Sequence, residues 1–168
     1  CETFGCELSE TRAAHGASRG IKMITLDEVA SHQFDMINAE QVFEHLPDPL
    51  GVLRRLTGAL KPGGLVWIGV PNGIDTKRRL EVHDWRAPKD SAHSLNAVAP
   101  LEHLNCFNAG SLIRMAELAG CELLEIPHRK VLSSRSAMLR HRIGQIKKRI
   151  SRQDTNDDLG TNLFFRRK

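Results

Sequence analysis

The segment from Phe34 to Asn72 constrains the fold more than any other part of this chain. It reads FDMINAEQVFEHLPDPLGVLRRLTGALKPGGLVWIGVPN. Apolar runs typical of buried strands begin and end it, and between them leucines recur at helical spacing from Leu50 to Leu60. A strand–helix–strand crossover of this kind builds a parallel sheet.

The rest of the chain continues the alternation of strands and helices. Asp48 is expected to cap the central helix with Pro49 at its first helical position, and the glycines of the KPGG sequence are expected to end it. Ser9 is the expected N-cap of an earlier helix. The predicted strands are 3–8, 21–25, 34–38, 65–70, 122–127 and 161–165, and the predicted helices are 10–18, 49–60 and 109–119. This pattern indicates one α/β domain, 1–168, with a doubly wound, mostly parallel sheet.

Composition excludes several classes of protein. The 168 residues contain no apolar run near the roughly 18–20 residues of a membrane span, and the N-terminus lacks a signal-peptide layout. The four cysteines show neither metal-site nor disulfide spacing, which favours reduced thiols in a cytoplasmic protein. The absence of tyrosine excludes dehydrogenases that use a Tyr-x-x-x-Lys pair.

Two segments depart from the regular alternation. Residues 73–104 lack periodicity and are predicted to form a lid or substrate insertion, whose His83, Asp84, Trp85 and His93 could line an acceptor pocket. Residues 129–152 contain nine Lys or Arg and no acid, and predict a basic amphipathic helix. Its isoleucine face could pack on the domain, or the helix could bind an anionic partner such as a membrane surface. Nucleic acid is not expected, because the helix has no aromatic side chain for stacking.

The EHLPDP and LKPGG sequences resemble the class I S-adenosylmethionine-dependent methyltransferases, and the segment TNLFFRR resembles their antiparallel last strand. The resemblance implies a Rossmann-like sheet in which this chain supplies the second to the seventh strand. The first strand and the glycine-rich loop that follows it in the family would precede Cys1. We therefore expect a fragment that is aggregation-prone and inactive alone.

Four residues are expected to bind S-adenosylmethionine. Glu7 ends a strand, and its two carboxylate oxygens can accept hydrogen bonds from both ribose hydroxyls; alternatively it is a solvated acid at a strand end. By resemblance, Asp27 lies near the adenine, although an ordinary loop acid is an equal alternative. The backbone of Asn38 and Ala39 is expected to face the methionine portion.

Glu44 and His45 form the pair with the most chemical potential. They could pack structurally, act as a base toward the acceptor, or bind a metal. In ubiquinone-pathway O-methyltransferases a similar ExxEH segment and a downstream histidine, which His103 resembles, hold a divalent metal. Gln41 replaces the first Glu here, and losing a charged ligand weakens such a site. We therefore predict His45 and His103 as catalytic residues and no metal, with Glu44, His45 and His103 as the ligands if one binds.

These observations predict a methyltransferase acting on a small-molecule or glycan acceptor, at oxygen. The chain lacks the Asn/Asp-Pro-Pro-Tyr motif of enzymes that methylate amino groups in DNA. The alternative is a non-catalytic domain of the same fold that binds an anionic partner through residues 129–152.

Overall fold

A computed structural model describes residues 1–73, 76–81, 86, 95, 98–99, 101–124 and 161–168. The predictions for His83, Asp84, Trp85, His93 and the basic helix at 129–152 lie outside these residues. The strands are β1 (Phe4–Gly5), β2 (Lys22–Met23), β3 (Phe34–Glu40), β4 (Leu60–Val70), β5 (Cys121–Leu123) and β6 (Thr161–Arg167). The helices are α1 (Glu10–Ser18), α2 (Pro49–Gly58), α3 (Thr76–Glu81) and α4 (Ala109–Leu118), and two 3-10 turns span Glu28–Ser31 and Phe43–His45.

The described strands form two sheets. Strands β1 and β2 pair in parallel, and the second sheet has the order β3-β4-β6-β5. Strand β3 is parallel to β4, whereas β6 is antiparallel to both of its neighbours. The α/β fold and the antiparallel last strand are therefore confirmed, and β4 lies between two other strands.

An aromatic group joins the two sheets where β1 and β3 begin. The ring centroids of Phe4 and Phe34 lie 5.6 Å apart in an edge-to-face arrangement. His32 contacts both rings, at 4.8 Å from Phe4 and 5.8 Å from Phe34. The starts of the two strands therefore lie side by side, packed through aromatic contacts.

The hydrophobic core lies between one face of the four-stranded sheet and helices α2 and α4. Val66, Ile68 and Val70 alternate along β4 and are fully buried on this face. Leu53, in the predicted leucine stripe of α2, and Leu112 of α4 are also fully buried. Each such side chain contributes about 1.5–3 kcal/mol on burial. None of the helices in the described part of the chain is long and apolar enough to cross a membrane.

The caps of the helices agree only in part with the sequence prediction. Asp48 Oδ1 accepts a hydrogen bond of 2.9 Å from the Gly51 amide and Pro49 begins α2, as expected. At α1, Ser9 occupies the N-cap position as expected, but its side chain makes no capping hydrogen bond. The Ser9 amide instead donates to Glu7 Oε1 at 2.8 Å, so a carboxylate before the helix stabilises its N-terminal end.

The prediction that KPGG ends α2 is wrong. The helix ends at Gly58, and Lys61–Gly64 lies inside β4. The register moves from Phe34 opposite Leu60 to Met36 opposite Leu65, so these residues form a bulge against β3. Gly63 has the positive φ that glycine favours, +74°, and a Cβ at Gly64 would lie 2.9 Å from the Lys61 carbonyl oxygen. The glycines therefore allow the bulge.

Other differences are confined to element lengths. The predicted strand 21–25 shortens to Lys22–Met23, and the polar connection after it contains the Glu28–Ser31 turn with Val29 buried. Within the predicted lid, 73–104, residues Thr76–Glu81 form helix α3.

Candidate active site

The candidate site begins where β3 ends. Gln41 adopts a left-handed backbone conformation with φ of 54°, and its amide donates to the Gly69 carbonyl oxygen at 2.8 Å. This turn ends the strand and directs the chain into the Phe43–His45 turn. In open α/β sheets, ligands bind beyond the carboxyl ends of parallel strands, and this turn lies at that end.

A distant segment docks onto this turn through hydrogen bonds. The amides of Leu104 and Asn105 donate to the Glu44 carbonyl oxygen at 2.8 and 3.0 Å. The Asn105 side-chain amide donates to the carbonyl oxygens of Phe43 and Leu46, at 3.3 and 2.6 Å. These contacts place the end of the predicted lid against the residues that follow β3.

Glu44 is the most unusual residue of the site. Its side chain is 1% exposed, and neither carboxylate oxygen has a hydrogen-bond partner among the residues that the structure describes. Burying a carboxylate without a partner is unfavourable. Among the described residues, the basic side chain that approaches Glu44 is that of His45, whose Nε2 lies 3.9 Å from Glu44 Oε1.

The orientation of His45 follows from a contact with Glu102. His45 Nδ1 lies 2.9 Å from the Glu102 carbonyl oxygen. A carbonyl oxygen only accepts hydrogen bonds, so Nδ1 must be the protonated nitrogen. In the neutral ring, the lone pair is then on Nε2, the nitrogen nearer to Glu44.

His103 completes a group of three. Its ring lies edge-to-face with that of His45, at a centroid distance of 4.9 Å, and its buried Nδ1 has no hydrogen-bond partner among the described residues. One possible ligand atom from each of Glu44, His45 and His103 lies within 4.8 Å of the other two. The prediction that these three residues are the possible metal ligands is thus compatible with their positions.

The donor set fits a divalent cation. Two atoms bound to one zinc-sized ion at about 2.1 Å lie at most about 4.2 Å apart, so the three side chains would close slightly around it. A cation would neutralise Glu44 and bind the histidine nitrogens that can donate a lone pair. It would thereby offset the unfavourable burial of the Glu44 carboxylate. The prediction that no metal binds remains untested.

Of the predicted cofactor residues, Glu7 and Asp27 have different surroundings. Glu7 is one-third exposed; its Oε1 accepts from Ser9, and its Oε2 lies 4.0 Å from Arg12. Asp27 is 91% exposed and pairs with Arg55 of α2, with 2.6 Å between Oδ1 and Nη1. The Arg55 pair favours the alternative that Asp27 is an ordinary loop acid, whereas the ribose role of Glu7 remains a prediction.

Asn38 and Ala39 lie on opposite faces of β3. The Asn38 side chain is exposed, on the face that also bears Trp67, whereas Ala39 is 6% exposed and packs in the core. Phe107, which precedes α4, is also buried in the core. The prediction for Asn38 and Ala39 concerns their backbone and is not tested by these positions.

Comparison with known proteins identifies the family to which the chain belongs. A family model described as a methyltransferase domain matches residues 4–126. The chain belongs to this methyltransferase-domain family. The resemblance to class I S-adenosylmethionine-dependent methyltransferases is therefore confirmed.

Individual relatives match parts of the chain. The ubiquinone biosynthesis O-methyltransferase of Marinobacter nauticus is 33% identical over 67 residues, covering 34% of this chain and 28% of the relative. That of Xanthomonas euvesicatoria pv. vesicatoria is 25% identical over 142 residues, covering 77% of this chain and 59% of the relative. The matches thus span between about a quarter and three-fifths of these relatives.

The fold is similar to that of an S-adenosylmethionine-dependent methyltransferase from Mesorhizobium loti. The TM-score is 0.59 at 15% identity, over 99% of this chain and 81% of that one.

Proposed function

We propose that the protein transfers the methyl group of S-adenosylmethionine to an oxygen atom of a small-molecule or glycan acceptor. Family membership supports the methyl-transfer chemistry, and the relatives named as O-methyltransferases support oxygen as the acceptor atom. The observation on which the proposal depends is the Glu44, His45 and His103 group at the carboxyl end of β3.

The reaction places two demands on the protein. The methyl carbon leaves the sulfonium sulfur and forms a bond to the acceptor oxygen, while the hydroxyl proton must be lost. Holding donor and acceptor in line accounts for much of the expected rate. The remaining task is to make the hydroxyl ionise, which requires a base or a nearby positive charge.

His45 Nε2 has the lone pair for either task, and the two tasks exclude each other. As a base, Nε2 would accept the hydroxyl proton, the role expected from sequence. As a ligand, it would share a cation with Glu44 and His103. We favour the ligand role, because a base role for His45 leaves the buried Glu44 carboxylate and His103 Nδ1, which have no hydrogen-bond partner among the described residues, without compensation for their burial. A divalent cation held there would supply Lewis-acid activation of the hydroxyl.

Glu7 is proposed to bind the cofactor ribose. The hydrogen bond from the Ser9 amide fixes one carboxylate oxygen at the start of α1, and the second, 4.0 Å from Arg12, can still accept from a hydroxyl donor. Asn38 and Ala39 would contribute only backbone atoms.

The direct test is methyl transfer by the full-length protein. It would be incubated with S-adenosylmethionine labelled in the methyl group and with panels of catechols, phenols and glycans, and products would be identified by mass spectrometry. We expect the label in an O-methyl ether. Label found on nitrogen or carbon, or no transfer to any panel by protein that binds the cofactor, would contradict the proposal.

A further inference from the structure

We infer that residues 129–152 dock onto the second face of the four-stranded sheet, which is the face opposite the hydrophobic core. Two roles were open for this basic segment, packing on the domain and binding an anionic partner. The positions of the described residues favour the first role. Neither role involves methyl transfer, so the docking can be tested independently of the proposed function.

The second face bears side chains that alternate with those of the core. Asn38 of β3 pairs with Trp67 of β4, which pairs with Phe164 of β6, and residues paired in this way lie on the same face. Met36 and Leu65 form the neighbouring pair on this face. The rings of Trp67 and Phe164 stack, with centroids 5.7 Å apart and an interplanar angle of 10°. The middle of the second face is therefore mainly apolar.

The three longer helices of the described part of the chain pack elsewhere. Leu53 of α2 and Leu112 of α4 are buried in the core, on the opposite face of the sheet. Helix α1 packs on β2, where a Cβ at Gly16 would lie 3.2 Å from the Met23 sulfur. An apolar sheet face needs a second layer to bury it. The second face is thus suited to an element that these three helices do not supply.

The chain on either side of residues 125–160 is attached beside this face. The Leu124 amide donates to the Phe164 carbonyl oxygen at 2.8 Å, and Thr161 pairs with Val70. Strands β5 and β6 are antiparallel neighbours, which a hairpin loop of about two to five residues could join. The much longer segment between them is tethered at both ends close to Phe164, and tethering raises its effective concentration at the sheet. Because α4 packs on the core side of β5 and β6, the second face remains for the segment.

The segment contains an apolar stripe of matching size. Leu139, Ile143, Ile146 and Ile150 recur at helical spacing, and we call them the isoleucine stripe. A helical rise of about 1.5 Å per residue extends the stripe over about 16 Å, close to the width of about 14 Å of four strands spaced about 4.8 Å apart. The lysines and arginines of the segment would keep their charges in water. The stripe can therefore cover the apolar middle of the second face.

A single stripe cannot cover the sheet and enter a membrane at the same time. Membrane binding would leave the apolar middle of the second face without this cover, whereas docking buries both apolar surfaces together. Glu40, exposed on the same face at the end of β3, adds a carboxylate with which the basic segment can pair. These features favour the sheet over a lipid surface as the partner of the stripe.

The test is photo-crosslinking of the full-length protein. The photoreactive amino acid p-benzoylphenylalanine would replace Met36, which is 49% exposed on the second face. The control position is Leu118 of α4, which is 48% exposed. Crosslinked peptides would be identified by mass spectrometry in a mixture of isotopically labelled and unlabelled protein. We expect Met36 to crosslink to residues 129–152 of its own chain, and Leu118 not to do so.

A pair of substitutions assigns the contact to the isoleucine stripe. Ile146→Asp should lower the yield of the Met36 crosslink by about 10-fold, because a charge would then enter the apolar contact. Gln145→Asp adds the same charge outside the stripe and should leave the yield unchanged. The Met36 crosslink is first measured with the segment unaltered, so the test remains decisive if Ile146→Asp does not fold.

Crosslinks from Met36 to another part of the chain or to a second copy would overturn the inference, as would no crosslink in folded protein. Flotation with vesicles of phosphatidylcholine and phosphatidylserine tests the lipid alternative. Vesicle binding that Ile146→Asp abolishes and Gln145→Asp preserves would also overturn the inference, because the stripe would then contact lipid instead of the sheet.

Discussion

His45 Nδ1 lies 2.9 Å from the carbonyl oxygen of Glu102, although 57 residues separate the two in sequence. The contact joins the turn after β3 to the segment that precedes α4, and it determines which nitrogen of His45 is available. The chemistry of this site therefore depends on how firmly residues 101–105 dock.

Asn105 provides that docking, and its loss should loosen the site. Asn105→Ala removes the donor to the Phe43 and Leu46 carbonyl oxygens. We expect the free energy of unfolding to fall by about 1–3 kcal/mol, because two partly buried carbonyls lose a partner. Urea denaturation measures the change.

The control for Asn105 is its neighbour Leu104. Leu104 is 68% exposed, and its amide bond to Glu44 survives truncation of the side chain. Leu104→Ala should alter stability by no more than about 0.5 kcal/mol. Equal effects of the two substitutions would show that the Asn105 side chain does not hold the segment.

Glu7 is the residue by which cofactor recognition can be tested. Glu7→Gln keeps an oxygen that can accept from the Ser9 amide, so α1 should remain intact. The substitution removes only the negative charge. We expect S-adenosylmethionine to bind about 10-fold more weakly, a loss of about 1.4 kcal/mol that a charged hydrogen bond can supply. Calorimetric titration measures it. Glu10→Gln, an exposed acid in the first turn of the same helix, is the control, and an unchanged affinity for Glu7→Gln would reject the ribose role.

Asp48 should stabilise α2 as an N-cap. Asp48→Ala removes the acceptor for the Gly51 amide and should cost about 1 kcal/mol of stability. Asp35→Ala is a suitable comparison, because Asp35 is 85% exposed and pairs with Lys61 at the surface. Its effect should be smaller, since surface ion pairs contribute at most about 1 kcal/mol. Thermal melts of both variants show which substitution lowers the stability more.

Much of the fold was predictable from sequence because it follows from local patterns. The leucine spacing of α2, the apolar run of β4 and the Asp48-Pro49 cap each lie within a few residues and were identified correctly. The KPGG bulge was not predicted, because its glycines are required by the pairing with the neighbouring strand β3. The sequence alone does not indicate that contact.

The candidate site, like the fold, was predictable from sequence only in part. Glu44, His45 and His103 were recognisable by residue type, but their proximity depends on docking across nearly sixty residues. The burial of Glu44 had no sequence signal, since glutamate is ordinarily an exposed residue. Glu102 acts through its backbone carbonyl, which no side-chain pattern could reveal.

One pH effect should be measurable outside the site. The amide of Thr25, at 2.7 Å, and its hydroxyl, at 2.9 Å, donate to Glu28 and lower the pKa of that carboxyl below its ordinary value of 4.5. A lowered pKa stabilises the fold above about pH 4.5, and this contribution disappears as the pH falls through the folded-state pKa. Glu28→Gln should therefore lower the melting temperature at pH 7 and have little effect in acid.

Thr25→Ser serves as the control for Glu28, because it keeps both the amide and the hydroxyl donor. Its melting temperature should depend on pH as that of the unaltered protein does. A Glu28→Gln difference that stays constant from pH 7 into acid would contradict the assigned cause.

The central claim is that the group at the end of β3 activates the acceptor for methyl transfer. The most direct measurement is the single-turnover rate of transfer from labelled S-adenosylmethionine, at saturating cofactor, by the full-length protein and by Glu44→Gln. We predict a loss of about 100-fold in rate for Glu44→Gln, with cofactor affinity changed by less than about twofold, because Glu44 acts on the acceptor side. Equal transfer rates in the two proteins would contradict the account.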